Sequence, residues 1–256
     1  MLYTRDTGSG QPVLLLHAFP LNSRMWEPQM GALAARARLL APDLPGFGLS
    51  PPPPAAPSLD DYARQVVGVL DALEVDRVVV VGLSMGGYLA FRLVGALGPR
   101  LAGLVLADTR ATPDTEAGAL ARHRLAADVE ARGVEVAASE FLPKLLGATT
   151  QRVRLALVDR VRDIIRENTP AGVAAALRAM AARPDSTPLL AGTRCPVLCV
   201  AGEEDMLTPP EVARDMAERI PGGRAMVISE AGHLTNLEAP QAFNEALAGF
   251  LGADRA

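Results

Sequence analysis

Aromatic residues make up only 4% of this 256-residue chain, which has one tryptophan and two cysteines. Histidine occurs three times, and Lys144 is the single lysine. The two cysteines, Cys195 and Cys199, lie four apart in an extended apolar segment. At about 3.3 Å per residue their Cα atoms would sit roughly 13 Å apart, beyond the reach of a disulfide. With no histidine nearby they make no metal site, and as core residues they suit a reducing compartment. No apolar run approaches the ~18 residues needed to span a bilayer. The start of the chain, Met1 to Asp6, lacks the basic start, apolar run and small-residue cleavage site of a signal peptide. The expectation is a cytoplasmic protein with no membrane partner. A net charge of −4 leaves no basic footprint for nucleic acid.

What is present is a globular composition, 49% hydrophobic and 21% charged. A chain of this length can remove roughly three quarters of its unfolded surface from water. Six short apolar runs, at residues 12–16, 39–42, 77–81, 101–107, 197–201 and 225–228, alternate with helix-length amphipathic segments. They are continuous rather than alternating, as expected for parallel strands covered on both faces by helices. Alternation of strand and helix implies an α/β sheet. Ser58 with Asp61 marks one helix start, Thr169-Pro170 another, and Thr208-Pro209-Pro210-Glu211 reads as a capping box. Residues 51–54, all proline, read as a stiff surface loop. The alternation breaks once. Residues 111–190 show no strand pattern, and Val153, Leu157, Val161, Ile164 and Ile165 form one apolar helical stripe there. These 80 or so residues read as a helical lid, with residues 1–110 and 191–256 as the core domain.

The strongest local signal is the run Val78-Val79-Val80-Val81-Gly82-Leu83-Ser84-Met85-Gly86-Gly87. It is a strand, then Gly-x-Ser-x-Gly, then an apolar helix. A serine at so sharp a strand-to-helix turn is presented above the sheet, and Gly82 and Gly86 leave room for the turn. Ser84 is therefore the candidate nucleophile. Its base must be a histidine. His233 follows the last apolar run, at a strand's carboxyl end, where open α/β sheets place their ligands. His123 reads as a solvated lid residue and His17 as a loop brace. Asp205, just past the fifth apolar run, is the candidate acid that orients His233, because this arrangement runs Ser, acid, His along the chain. Glu203, Glu204 and Asp108 compete with it; Asp108 reads better as a hydrogen-bonding brace of the lid hinge. The oxyanion donors expected are the backbone N–H groups of Met85 and Phe19. Trp26 and Met25 either line the pocket or pack against a helix. The scarcity of aromatics in the lid suggests an aliphatic pocket.

With these residues in place, the chain resembles the α/β-hydrolase superfamily over nearly its whole length. The matching segments are His17-Ala18-Phe19-Pro20, Asp43-Leu44-Pro45-Gly46-Phe47-Gly48-Leu49-Ser50, the Ser84 turn, residues 202–209 and Gly232-His233. Within the superfamily it is similar to small carboxylesterases and oxoadipate enol-lactonases. The resemblance implies an eight-stranded, mostly parallel sheet, a helical lid after the sixth strand, and no cofactor or metal. It implies an acyl-enzyme route to hydrolysis of a small-molecule ester or lactone. Perhydrolysis, and a lyase or small-molecule receptor built on the same triad, are the other readings it leaves. A serine at position 84 argues against the family's dehalogenases and epoxide hydrolases, whose nucleophile is an aspartate. Ala18 departs from the family's usual glycine, and at positive φ an alanine there would be strained.

Overall fold

The computed structural model describes residues 1–53 and 56–253. Pro54 of the four-proline loop lies outside them. Seven strands form one sheet: β1 (Thr4–Thr7), β2 (Gln11–Leu16), β3 (Ala37–Pro42), β4 (Val78–Leu83), β5 (Leu101–Ala107), β6 (Val197–Gly202) and β7 (Arg224–Ile228). Their order is β1-β3-β2-β4-β5-β6-β7. Only β1 runs antiparallel, pairing Thr4 with Pro42 and Thr7 with Leu39. The α/β-hydrolase architecture is therefore present, with seven strands among the described residues rather than eight.

Six of the strands match the apolar runs. All residues of β4, β5 and β6 are buried, as continuous runs under two helical layers should be. β1 has no such signal. Its sequence is Thr-Arg-Asp-Thr at the sheet edge, half exposed, and it is polar because water reaches it.

Helices α1 (Glu27–Leu33), α2 (Leu59–Ala72) and α3 (Met85–Leu97) alternate with the first strands. α2 starts with the expected capping box between Ser58 and Asp61. Between β5 and β6 lie six helices: α4 (Glu116–Arg132), α5 (Glu135–Leu145), α6 (Ala148–Val153), α7 (Leu155–Arg166), α8 (Pro170–Ala181) and α9 (Thr187–Leu190). This helical segment follows the fifth strand, not the sixth, in keeping with seven strands rather than eight among the described residues. The apolar stripe of residues 153–165 is broken at Arg154, which leaves the helical region and separates α6 from α7. Val153 is consequently 63% exposed, while Val161, Ile164 and Ile165 are fully buried. α10 (Pro210–Arg219), α11 (Thr235–Glu238) and α12 (Pro240–Ala253) complete the chain.

α8 opens on Thr169, whose side chain accepts from Gly172 N–H at 3.0 Å. α10 differs from its sequence reading. Its N-cap is Pro209 without a side-chain cap, because the Thr208 hydroxyl donates to Asp205 Oδ2 at 2.6 Å instead. No disulfide joins Cys195 and Cys199. Cys199 is buried on β6, and burial pushes its thiol up to about 12. No helix among the described residues is long and apolar enough to cross a membrane.

Candidate active site

The carboxyl ends of β2, β4, β5, β6 and β7 all open onto one edge of the sheet, because these strands are parallel. At that edge the loops carrying Phe19, Ser84, Asp108, Asp205 and His233 come together.

Ser84 sits between β4 and α3 with φ 55° and ψ −112°. A non-glycine residue in this region costs of order 1–3 kcal/mol and persists only when its surroundings impose it. Its N–H donates to Ala107 O at 2.9 Å. Its carbonyl accepts from Gly87 N–H at 2.9 Å and from the Thr109 hydroxyl at 2.8 Å. A Cβ on Gly82 would stand 2.3 Å from Gly86 O, and one on Gly86 would stand 2.1 Å from Leu16 O. Both glycines are therefore required by backbone-to-backbone contact.

Ser84 Oγ lies 2.8 Å from His233 Nε2, and His233 Nδ1 lies 2.8 Å from Asp205 Oδ2. His233 and Asp205 are 2% and 4% exposed, so water does not compete for the contact between them. Asp205 Oδ1 accepts the N–H groups of Leu207 at 2.8 Å and Thr208 at 3.0 Å. Burial resists ionisation of Asp205. The His233 ring and the hydrogen bonds from His233 and Thr208 outweigh that, and the carboxyl is held below its ordinary range.

The other acids are placed elsewhere. Glu204 accepts from Thr149 N–H at 2.8 Å, and Glu203 accepts from Glu230 N–H at 3.3 Å. Asp108, at φ 45°, accepts from Gly202 N–H at 3.0 Å and from the Thr235 hydroxyl at 2.6 Å. It ties β6 to α11 and makes no hydrogen bond to the lid hinge, where the sequence reading had put it. Burial, and then the charge of Asp205, push its carboxyl well above the ordinary range.

His17 Nε2 accepts the Leu44 N–H at 3.0 Å, which leaves Nδ1 to carry the proton toward Ala18 O, 3.0 Å away. Burial lowers its pKa, outweighing the Ala18 carbonyl and Asp43. It is a neutral loop brace. His123 is exposed on α4.

Ala18 is absent from the positive-φ residues, so the strain expected there does not arise. Its N–H instead donates to Met25 Sδ at 3.1 Å. Met85 N–H is the first of α3, where the helix leaves its donors unpaired. Neither it nor the Phe19 N–H has a hydrogen-bond partner among the described residues.

A small cavity of about 50 Å³ adjoins Ser84 and His233. Phe19 and Thr208 line it from the loops at the sheet edge, Phe141 and Leu145 from α5, and Met180 from α8. Tyr88, Arg110 and Arg122 also reach it. The pocket thus mixes aromatic and cationic side chains with the aliphatic Leu145, Met180 and Leu207, rather than being aliphatic throughout. Phe19 meets Phe141 edge-on, with centroids 5.1 Å apart. Trp26 and Met25 do not line it. Both are fully buried, and Trp26 packs on Phe243 with centroids 6.0 Å apart.

Sequence reading missed Thr208 and Glu238. Thr208 was taken as a helix cap, although its spacing of three from Asp205 also suits a local side-chain turn. Glu238 is buried in α11. It accepts from Gly147 N–H of the lid at 2.8 Å and from Gly232 and Leu234 N–H, either side of His233, at 3.0 and 3.1 Å. No local pattern announces that role. Phe141, Tyr88, Arg110 and Arg122 were missed as pocket residues for the same reason.

A sequence-family model described as alpha/beta hydrolase fold matches residues 11–240. A solved thermophilic esterase from Thermogutta terrifontis (malate bound) superposes with a TM-score of 0.97 at 39% identity, covering 100% of this chain and 94% of that one. The 3-oxoadipate enol-lactonase 1 of Acinetobacter baylyi is 32% identical over 235 residues, covering 89% of this chain and 83% of that protein. The dihydrolipoyllysine-residue acetyltransferase component of the acetoin cleaving system of Pseudomonas putida is 29% identical over 256 residues. That match takes in 94% of this chain but only 64% of the length of that relative.

Proposed function

The chain belongs to the α/β-hydrolase family, and from that premise we propose that it hydrolyses small carboxylic esters through an acyl-enzyme on Ser84. The observation that carries this reading is the unbroken hydrogen-bond chain from Ser84 through His233 to Asp205 beside a cavity.

A serine hydroxyl is a weak nucleophile until a base takes its proton. His233 Nε2 accepts that proton as Ser84 Oγ attacks the ester carbonyl. Asp205 keeps the proton of the neutral ring on Nδ1 and stabilises the imidazolium that forms. Thr208 and the two backbone N–H groups hold the carboxylate in that orientation. The negative charge growing on the carbonyl oxygen is met by the N–H groups of Met85 and Phe19, with the positive end of α3 behind Met85. His233 then returns its proton to the departing alcohol. Water enters and attacks the acyl carbonyl as His233 takes its proton; His233 then returns that proton to Ser84 Oγ as the carboxylic acid departs. The small cavity favours short acyl chains.

The similarity to an enol-lactonase supports a second substrate form. In a lactone the leaving oxygen stays attached to the acyl chain, so the same steps open a ring. Chromatography of products separates the two.

The test is steady-state hydrolysis of short-chain nitrophenyl esters by the wild type and by Ser84→Ala. Turnover should fall on the order of a million-fold in the variant. Activity retained in Ser84→Ala would remove Ser84 from the mechanism.

A further inference from the structure

We propose that the cavity beside Ser84 takes esters or lactones that carry a free carboxylate, and that the Arg110 guanidinium binds that carboxylate. The inference rests on the hydrolase reading for its chemistry and on Arg110 for its charge.

Arg110 leaves the carboxyl end of β5 two residues after Asp108 and reaches the cavity wall together with Ser84 and His233. One of its terminal nitrogens, Nη2, donates to Leu207 O. Its Nε has no hydrogen-bond partner and is shut off from solvent, so a ligand in the cavity does not reach that atom. No carboxylate among the described residues lies within ion-pair distance of it. A half-buried guanidinium without counter-charges is costly unless something in the cavity supplies them.

The neighbouring charges do not supply them. Arg122 also lines the cavity and holds Asp114 at 2.5 Å. Arg183 holds the same carboxylate at 2.9 Å and stacks over the Tyr88 ring, 4.1 Å from its centroid. One aspartate is thus shared by two arginines. Asp205 has both oxygens engaged, by His233 and Thr208 on one and by two backbone N–H groups on the other. No aspartate or glutamate lines the cavity itself. The lining of the cavity therefore carries positive charge in excess. A planar carboxylate matches a guanidinium fork better than any neutral group does.

The experiment compares ethanol release from matched esters. Monoethyl succinate and monoethyl glutarate carry the carboxylate. Ethyl 4-methylpentanoate and ethyl 5-methylhexanoate replace it with an isopropyl group of similar shape. In the wild type kcat/KM should favour the anionic ester by roughly tenfold or more, the usual scale of a charge-assisted hydrogen bond. Arg110→Gln should collapse that ratio toward unity, chiefly through KM, and Arg110→Lys should retain part of it. A wild type that prefers the neutral isosteres overturns the proposal. So does an Arg110→Gln variant that loses both classes equally, since bracing Leu207 would explain that. If Arg110→Gln does not fold, the Arg110→Lys ratio decides: no fall from the wild-type preference overturns the proposal.

Glutarate binding separates this proposal from the hydrolase reading. Glutarate should raise the Tm of Ser84→Ala, and the shift should be lost when Arg110→Gln is added and reduced when Arg110→Lys is added. Shifts of this kind without any ester turnover would sink the hydrolase reading and keep the carboxylate site. Turnover with no glutarate shift in Ser84→Ala, and no preference for anionic esters, would do the reverse.

Discussion

Replacing Asp205 by asparagine should cost roughly ten-thousand-fold in kcat, although the two side chains are nearly the same shape. The structure shows why. Asp205 Oδ1 is fixed by two backbone donors, Leu207 N–H at 2.8 Å and Thr208 N–H at 3.0 Å. Those donors demand an oxygen, so the asparagine carbonyl must take that place. The amide nitrogen then stands where Oδ2 was, against His233 Nδ1 at 2.8 Å and the Thr208 hydroxyl at 2.6 Å. Two donors cannot face each other there. His233 must release its Nδ1 proton and carry it on Nε2, pointing at Ser84. A ring in that tautomer cannot accept the serine proton. Burial of His233 and Asp205 prevents water from mediating an escape. Initial rates on a nitrophenyl ester give the loss, and nitrogen NMR of the imidazole gives the tautomer. Asp205→Asn should be no better than Asp205→Ala, despite its closer shape. An asparagine variant that keeps more than about a tenth of wild-type activity, or whose His233 still carries the Nδ1 proton, would refute the reasoning.

Asp108→Asn should behave differently. A carboxyl raised in the fold contributes stability that is full below its unfolded value near 3.9 and is lost as pH rises through the folded value. Asparagine removes that loss and suits φ 45°. The Tm of the variant minus that of wild type should therefore grow from pH 4 to pH 8, with kcat within about tenfold; a flat or falling difference would count against this account. Glu238→Gln should cost about 1–3 kcal/mol in denaturant unfolding, because one end of the amide would face Gly147 N–H with a donor instead of an acceptor. It should also lower kcat, since the residues flanking His233 hang from the same side chain. Unchanged stability would show that the lid is held by other contacts.

Much of this protein was legible along the chain. The continuous apolar runs announced β2 to β7, and β4 to β6 show the reason, since strands covered on both faces need no polar alternation. The Ser84 turn was legible because a serine at positive φ between a strand and a helix requires small neighbours on both sides. Ser58 and Thr169 capped their helices as read, since capping is a contact between residues three apart. The edge strand β1 was not legible, because its polar residues answer to solvent and its place comes from pairing with β3.

Where one residue had two possible partners, only the tertiary structure chose. Thr208 could cap α10 locally or bond Asp205, and the demand of a buried carboxylate for donors decided it. Asp108 could have braced the lid, but the ends of β6 and α11 lie closer. Trp26 went to Phe243, and the cavity drew Phe141 and Arg122 from helices about ninety residues or more before His233. Local sequence specifies backbone conformation through propensity, capping and hydrophobic period, all contacts of short range. Which side chains share a wall depends on how the elements pack, and packing brings together residues that no spacing along the chain connects.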